Sequence, residues 1–222
     1  MRAIISNAWK RCARCRSTSS PPVRNATKPS CCATRSGPDL ALKDEKQRLA
    51  WALTGSGHYL RECLNIIHRL EDVDLFLSRA AAELLQQYGY THNVGRVFQD
   101  KTASAVPVEL FYSGVYHTVV IAPSSSNTVA KMVCGISDNL VTNIFAQAGK
   151  CRVPSIVYAC DTEPELESEA PRENMVKVYP RRIDLENMQK LKSFEETTVV
   201  ADMQQLESAI QARLQCLKSC CS

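Results

Sequence analysis

The stretch Val119-Val-Ile-Ala-Pro-Ser-Ser-Ser-Asn-Thr128 constrains this chain more than any other. Four apolar residues form a buried strand, Pro123 stops it, and small hydroxyl and amide side chains follow before an apolar, helix-forming segment begins. A second unit repeats the pattern. Arg48-Leu-Ala-Trp-Ala-Leu53 reads as a strand, Thr54-Gly-Ser-Gly-His58 as a turn, and Tyr59 to Leu70 as an amphipathic helix. In that helix Leu60, Leu64, Ile67 and Leu70 make one apolar stripe. Strand-to-helix loops of this kind hold a phosphorylated, nucleotide-type ligand at the carboxyl ends of parallel strands, where backbone amides and a helix amino terminus meet its charge.

The rest of the chain continues the alternation. Val73 to Leu77 is a strand closed by Ser78, and a helix runs from about Ala80 to Tyr88. Residues 89–114, which contain Val106-Pro-Val-Glu-Leu-Phe111, show no regular period. Asn127 or Thr128 is placed to cap the helix after the serine loop, Gly135 interrupts it, and Asp138 to Ala148 resumes as a helix. Ser155 to Ala159 is a strand that delivers Cys160 and Asp161 to an acidic loop reaching Asn174. A strand over Met175 to Tyr179, a helix over Leu185 to Leu191, a strand over Thr198 to Val200 and a terminal helix capped by Asp202 complete the reading. The expected fold is α/β, three-layered, with a mostly parallel sheet and helices on both faces.

Charge divides the chain. The net +4 conceals residues 1–38, which carry eight basic side chains and no acidic one, so the remainder, with 19 basic and 23 acidic residues, is net −4. A mildly acidic body gives no reason to expect nucleic acid as a partner. Residues 1–45 are expected to be a disordered basic extension, with the composition of either a transit peptide or an upstream start codon, before a single ligand-binding domain at 46–215 and a cysteine-rich tail at 216–222. No secretory signal or membrane span is visible, which suggests a soluble cytoplasmic protein. Among the 11 cysteines, Cys12-Ala-Arg-Cys15 has zinc-hairpin spacing, but its partners Cys31 and Cys32 are adjacent, and no metal site is expected. The body cysteines, Cys63, Cys134, Cys151 and Cys160, are expected to act as small buried hydrophobes.

The loops narrow the ligand. Thr54-Gly-Ser-Gly57 lacks the third glycine of the dinucleotide fingerprint, Leu60 standing in its place, and lacks the Gly-Lys-Ser/Thr ending of a triphosphate loop. A single phosphate fits better, met by the amides around Gly55 and Gly57 and the hydroxyls of Ser56 and Ser78. The consecutive polar residues Ser124 to Thr128 need partners, which the carbonyls and ring nitrogens of an isoalloxazine-like ring would supply.

Thr54-Gly-Ser56, Pro123-Ser-Ser-Ser-Asn-Thr128 and Gly135-Ile-Ser-Asp-Asn-Leu140 resemble the motifs of the homo-oligomeric flavin-containing cysteine decarboxylase superfamily, in this order, over roughly Arg48 to Ala159. The resemblance implies a Rossmann-like fold binding flavin mononucleotide (FMN). Its decarboxylating members carry a histidine about a dozen residues before the Ala-Pro of the serine loop and a Pro-x-Met-Asn segment after the next strand. This chain has Glu109 or Leu110 and Tyr158-Ala-Cys-Asp161 there, so decarboxylation is not implied. The chain is more similar to the archaeoflavoprotein and acceptor-type dihydromethanopterin reductase branch, in Ala50 to Leu60, Phe76-Leu-Ser-Arg-Ala80, Leu140 to Lys150 and Arg182-Ile-Asp-Leu-Glu-Asn187.

That branch implies reduction of dihydromethanopterin to its tetrahydro form in one-carbon metabolism, by hydride transfer from reduced flavin. An external donor, NAD(P)H or a redox protein, would supply the electrons, and the assembly would be homo-oligomeric and trimer-based. The candidate flavin contacts are Thr54, Gly55, Ser56, Gly57, His58 and Ser78 toward the phosphate, and Pro123, Ser124, Ser125, Ser126, Asn127, Thr128 and Asp138 toward the ribityl chain and ring. His58 and Asp161 are the candidate catalytic residues. His58 would add positive charge beside the phosphate, and the Asp161 carboxylate would accept the amino group and ring N–H of the pterin with its two oxygens. The competing readings are an electron-transfer flavoprotein that transforms no small molecule and, behind it, a cysteine-type decarboxylase relative.

Overall fold

A computed structural model describes residues 47–89, 94–100, 105–170 and 174–220. The expected basic extension lies outside them. Six strands form one all-parallel sheet: β1 (Arg48–Leu53), β2 (Val73–Leu77), β3 (Arg96–Gln99), β4 (Tyr116–Ser124), β5 (Ser155–Ala159) and, numbered in chain order, β8 (Thr197–Val200). Their spatial order is β3-β2-β1-β4-β5-β8. The chain builds outward from β1, returns to the middle at β4 and builds outward the other way. The crevice at the carboxyl ends of β1 and β4 is therefore the switch point at which successive crossovers leave for opposite faces.

Side-chain alternation sorts the core into two layers. Leu49, Trp51 and Leu53 of β1 and Val120 and Ala122 of β4 pack with α1 (Leu60–His68), α2 (Arg79–Gln87) and α7 (Met203–Cys220). Ala50, Ala52, Val119 and Ile121 face the other layer, which holds α3 (Ala105–Tyr112), α4 (Ser126–Val133), α5 (Leu140–Lys150) and α6 (Arg182–Leu191). This is the three-layer, Rossmann-like arrangement expected from the alternating pattern. In α1 the buried residues Leu60, Cys63, Leu64 and Ile67 recur at helical spacing, so its whole apolar face is spent on the sheet.

The structure corrects several local expectations. Residues 89–114 contain β3 and α3, with Pro107 in the first turn of α3, where no intrahelical bond is lost. The acidic loop contains an antiparallel hairpin, β6 (Leu166–Ala170) with β7 (Asn174–Val178), separate from the main sheet. The helix after the serine loop begins at Ser126 with Ser125 as its N-cap, so neither Asn127 nor Thr128 caps it. Helix α5 starts at Leu140 rather than Asp138: Asn139 caps it, accepting from the Thr142 amide while the Asn139 amide donates to the Thr142 hydroxyl. Of the body cysteines, Cys63 and Cys160 are buried, but Cys134 is exposed and Cys151 half-buried, because they sit at the carboxyl ends of α4 and α5.

The amino-terminal end of the sheet is pinned by a buried carboxylate. Asp74 is fully enclosed and accepts from Arg48 Nε at 2.8 Å, Arg96 Nη2 at 2.8 Å and the Tyr116 hydroxyl at 2.8 Å. One side chain thus joins β1, β2, β3 and β4 at the end opposite the crevice. Among the described residues no helix is long and apolar enough to cross a membrane.

Candidate functional site

Thr54 and the residues around Pro123 build the crevice together. The Thr54 hydroxyl donates to the Pro123 carbonyl at 2.8 Å and accepts from the Ser125 amide at 2.9 Å, so one buried side chain fastens the loop after β1 to the loop after β4. Beneath it, the indole N–H of fully buried Trp51 donates to the Ala122 carbonyl at 2.7 Å. The Ala122–Pro123 peptide is cis, where the pairing of β4 with β5 is interrupted before resuming at Ser124. The Ser124 carbonyl then accepts from the Cys160 amide at 3.0 Å, which joins a third strand end to the site.

Close packing fixes the position of the first loop. A Cβ on Gly55 would stand 2.6 Å from the Ala80 Cβ, so only glycine lets this loop lie against the start of α2. Gly57 is different: nothing approaches within 4 Å of the place its Cβ would take, and its carbonyl accepts from the Leu60 amide at 3.2 Å. Tyr59 enters α1 in the left-handed region, with φ of 55°. Its ring meets His58 edge-on at 4.0 Å and Tyr158 at 5.7 Å, which places His58 on the rim of the crevice beside the first loop.

Most of the expected contact residues converge. Ser124 is fully buried, and its hydroxyl has no hydrogen-bond partner among the described residues. Such a group carries a desolvation cost until something pairs with it. Ser125 and Thr128 share a hydrogen bond at 3.1 Å across the first turn of α4, and Asn127 is exposed beside them. Ser56 is 3.1 Å from the Cys160 sulfur. Ser78 accepts from the Ala81 amide at 3.1 Å and so serves as the N-cap of α2, leaving its hydroxyl hydrogen available. Asp138 is not brought to this group within the chain. It lies past the carboxyl end of α4, opposite the serine loop, in an ion pair with Lys131 at 2.7 Å that holds its carboxyl below the usual range.

Asp161 emerges from β5 next to the serine loop, and the Ser126 hydroxyl donates to its Oδ2. Burial raises this carboxyl above its ordinary value, and the carboxylate of Asp184 adds to the rise while Arg181 opposes it. Asp184, buried in the first turn of α6, is itself gripped by Arg181 through Nε at 2.9 Å and Nη2 at 2.8 Å, which lowers its carboxyl. Burial pushes the adjoining Cys160 thiol up to about 12, against the pull of the Ser56 hydrogen bond, so it stays protonated at neutral pH.

Arg181 and Asp184 are the functional candidates that sequence reasoning missed. Their signal was an arginine followed three residues later by an aspartate at a helix start. Among the described residues no group of three or more His, Cys, Asp or Glu is placed to hold a metal ion.

Residues 39–220 match the family described as Flavoprotein. A relative from Methanosarcina mazei, named dihydromethanopterin reductase (acceptor), is 34% identical over 142 residues, which are 56% of this chain. The chain spans only 59% of that relative's length. Among solved structures, Burkholderia xenovorans DmrB in complex with FMN, described as a cubic protein cage for redox transfer, is 47% identical. The match has a TM-score of 0.73 and covers 79% of this chain and 99% of that one. Phenylacrylic acid decarboxylase from Aquifex aeolicus shares the fold, at 23% identity and a TM-score of 0.53 over 70% of this chain and 81% of its own.

Proposed function

Because the chain belongs to the flavoprotein family, we propose that FMN is its cofactor and that it is a cytoplasmic oxidoreductase reducing dihydromethanopterin to tetrahydromethanopterin. The observation that carries the cofactor assignment is the orphaned Ser124 hydroxyl, sealed at the floor of the crevice and lacking only a polar partner. The donor set around it suits the same group. The amides of the first loop, the Ser56 and Ser78 hydroxyls and His58 would hold the phosphate at the start of α1, where the helix dipole favours negative charge. Ser124, Ser125, Ser126, Asn127 and Thr128 would take the ribityl hydroxyls and the polar edge of the ring.

When bound, FMN supplies hydride chemistry, which no side chain can provide. The protein's part is to fix the two loops through Thr54, to exclude water from Ser124, and to present Asp161 to the pterin from the neighbouring strand end. The similarity to the Methanosarcina mazei reductase supports the pterin, and the similarity to DmrB supports both FMN and a homo-oligomer, here taken as trimer-based. Electrons come from an external donor, NAD(P)H or a redox protein.

One experiment tests the assignment. The protein is reconstituted with FMN, reduced anaerobically and mixed with dihydromethanopterin in a single turnover. Rapid reoxidation with formation of the tetrahydro product is the expected result. Reoxidation only by a redox protein would make it an electron carrier instead, and failure to bind FMN would remove the cofactor assignment.

A further inference from the structure

Hydride addition to a carbon–nitrogen double bond leaves the π electron pair on nitrogen, and a nitrogen that takes up no proton in the same step becomes too basic to form readily at neutral pH. The reductase reading, on which this inference rests, therefore needs an acid. The crevice offers few candidates. The Cys160 thiol is buried and tied to Ser56, and the Tyr158 hydroxyl is buried below the site with its acidity suppressed by that burial. His58 stands at the phosphate end, beside the first loop.

Asp161 differs from these. It stands half-buried at the carboxyl end of β5, directly against the serine loop, and Ser126 of α4 donates to its Oδ2. It faces Asp184 in the first turn of α6 and Arg181 just before that helix, and it follows Cys160 past the end of β5. With Oδ2 already engaged by Ser126, Asp161 is poorly suited to grip a pterin amidine edge with two free, ionised oxygens. The same surroundings suit a carboxylic acid that gives up one proton.

We propose that Asp161 is the proton donor of the reduction, with Ser126 and Arg181 as positioning residues that meet the charge it leaves and Asp184 holding Arg181 in place. With reduced FMN supplying the hydride and so losing two electrons, the new C–H bond would form as the C=N π bond breaks. Its electron pair takes the proton from the Asp161 carboxyl, and the new carboxylate accepts the Ser126 hydrogen bond and faces the Arg181 guanidinium. Because Asp161 is only half-buried, water reprotonates it before the next turnover.

The test uses the reconstituted full chain and two readouts. Infrared difference spectra of the oxidised protein, titrated from acid to neutral pH, should show a carboxylic-acid band that persists above the ordinary carboxylate range and is absent from Asp161→Asn. Arg181→Gln should carry that band to higher pH, because the opposing positive charge is gone. In single turnovers with dihydromethanopterin, Asp161→Asn should be slowed by about 100-fold or more at unchanged FMN affinity, whereas Asp161→Glu should recover part of the rate. A band that titrates like a free carboxylate, or an Asp161→Asn protein as fast as the parent, overturns the donor role alone. A protein that shows the band yet is never reoxidised by dihydromethanopterin overturns the reductase reading and the donor role with it. Should Asp161→Asn fail to fold, the upward move of the rate's pH profile in Arg181→Gln decides the matter, and an unmoved profile refutes the proposal.

Discussion

Two side chains show how much of the site depends on single atoms. The Thr54 hydroxyl is donor to one loop and acceptor from the other, so Thr54→Val leaves the Pro123 carbonyl and the Ser125 amide without their partner. Its expected cost is about 1–3 kcal/mol in denaturant unfolding of the flavin-free protein, with weakened FMN binding in fluorescence titration and recovery of both in Thr54→Ser. Asp161 carries the opposite sign. A carboxyl raised by folding binds its proton more tightly in the folded state, so it contributes nothing below its unfolded value and costs stability as pH climbs through the folded one. Asp161→Asn should therefore unfold at higher denaturant than the parent at neutral pH and at the same denaturant in acid. Equal midpoints at both pH values would show that folding does not raise the carboxyl.

Element by element, the local signals were of unequal clarity. β1, α1, β2 and β5 follow from apolar runs and helical spacing because each buries a continuous face. Helix α3 was hidden: Val106-Pro-Val-Glu-Leu-Phe111 is apolar almost all round and carries a proline, so neither a stripe nor an uninterrupted helix former marks it. The β6–β7 hairpin was hidden for the reverse reason. Leu166-Glu-Ser-Glu-Ala170 has no core-facing run, since this strand belongs to no buried sheet. The serine loop and Asp161 were visible as residue types, but the contact of Ser126 with Asp161, and the approach of Asp184 to them, depend on α4, the end of β5 and the start of α6 converging from positions far apart in sequence. Ser78, the N-cap of α2, is also proposed to meet the phosphate. Ser78→Asp keeps a side-chain acceptor for the Ala81 amide but sets a negative charge beside the proposed phosphate position. Thermal unfolding should stay close to the parent while FMN affinity falls by at least tenfold, whereas Ser78→Ala should lose about 1 kcal/mol of stability.

Taken whole, the molecule separates stability from chemistry along the strand direction. The Asp74 network holds four strands together at the amino-terminal end of the sheet, and the crevice proposed to hold the flavin opens at the carboxyl end. Asp74→Asn leaves Arg48 and Arg96 facing a neutral amide, and breaking a buried ion network of this kind costs about 3 kcal/mol. The flavin spectrum and the single-turnover rate of the folded fraction should be those of the parent. A changed spectrum would show that the two ends are mechanically linked.

Trp51 reports on the crevice in another way. The only other tryptophan is Trp9, in the amino-terminal region, so replacing Trp9 with phenylalanine leaves one tryptophan, lodged in the central strand and hydrogen-bonded to the residue just before Pro123. An isoalloxazine seated above that strand would drain its excited state by energy transfer. With the flavin in the proposed crevice, the chain would carry a native optical gauge of cofactor loading, dark when occupied and bright when stripped, that needs no dye and no substrate.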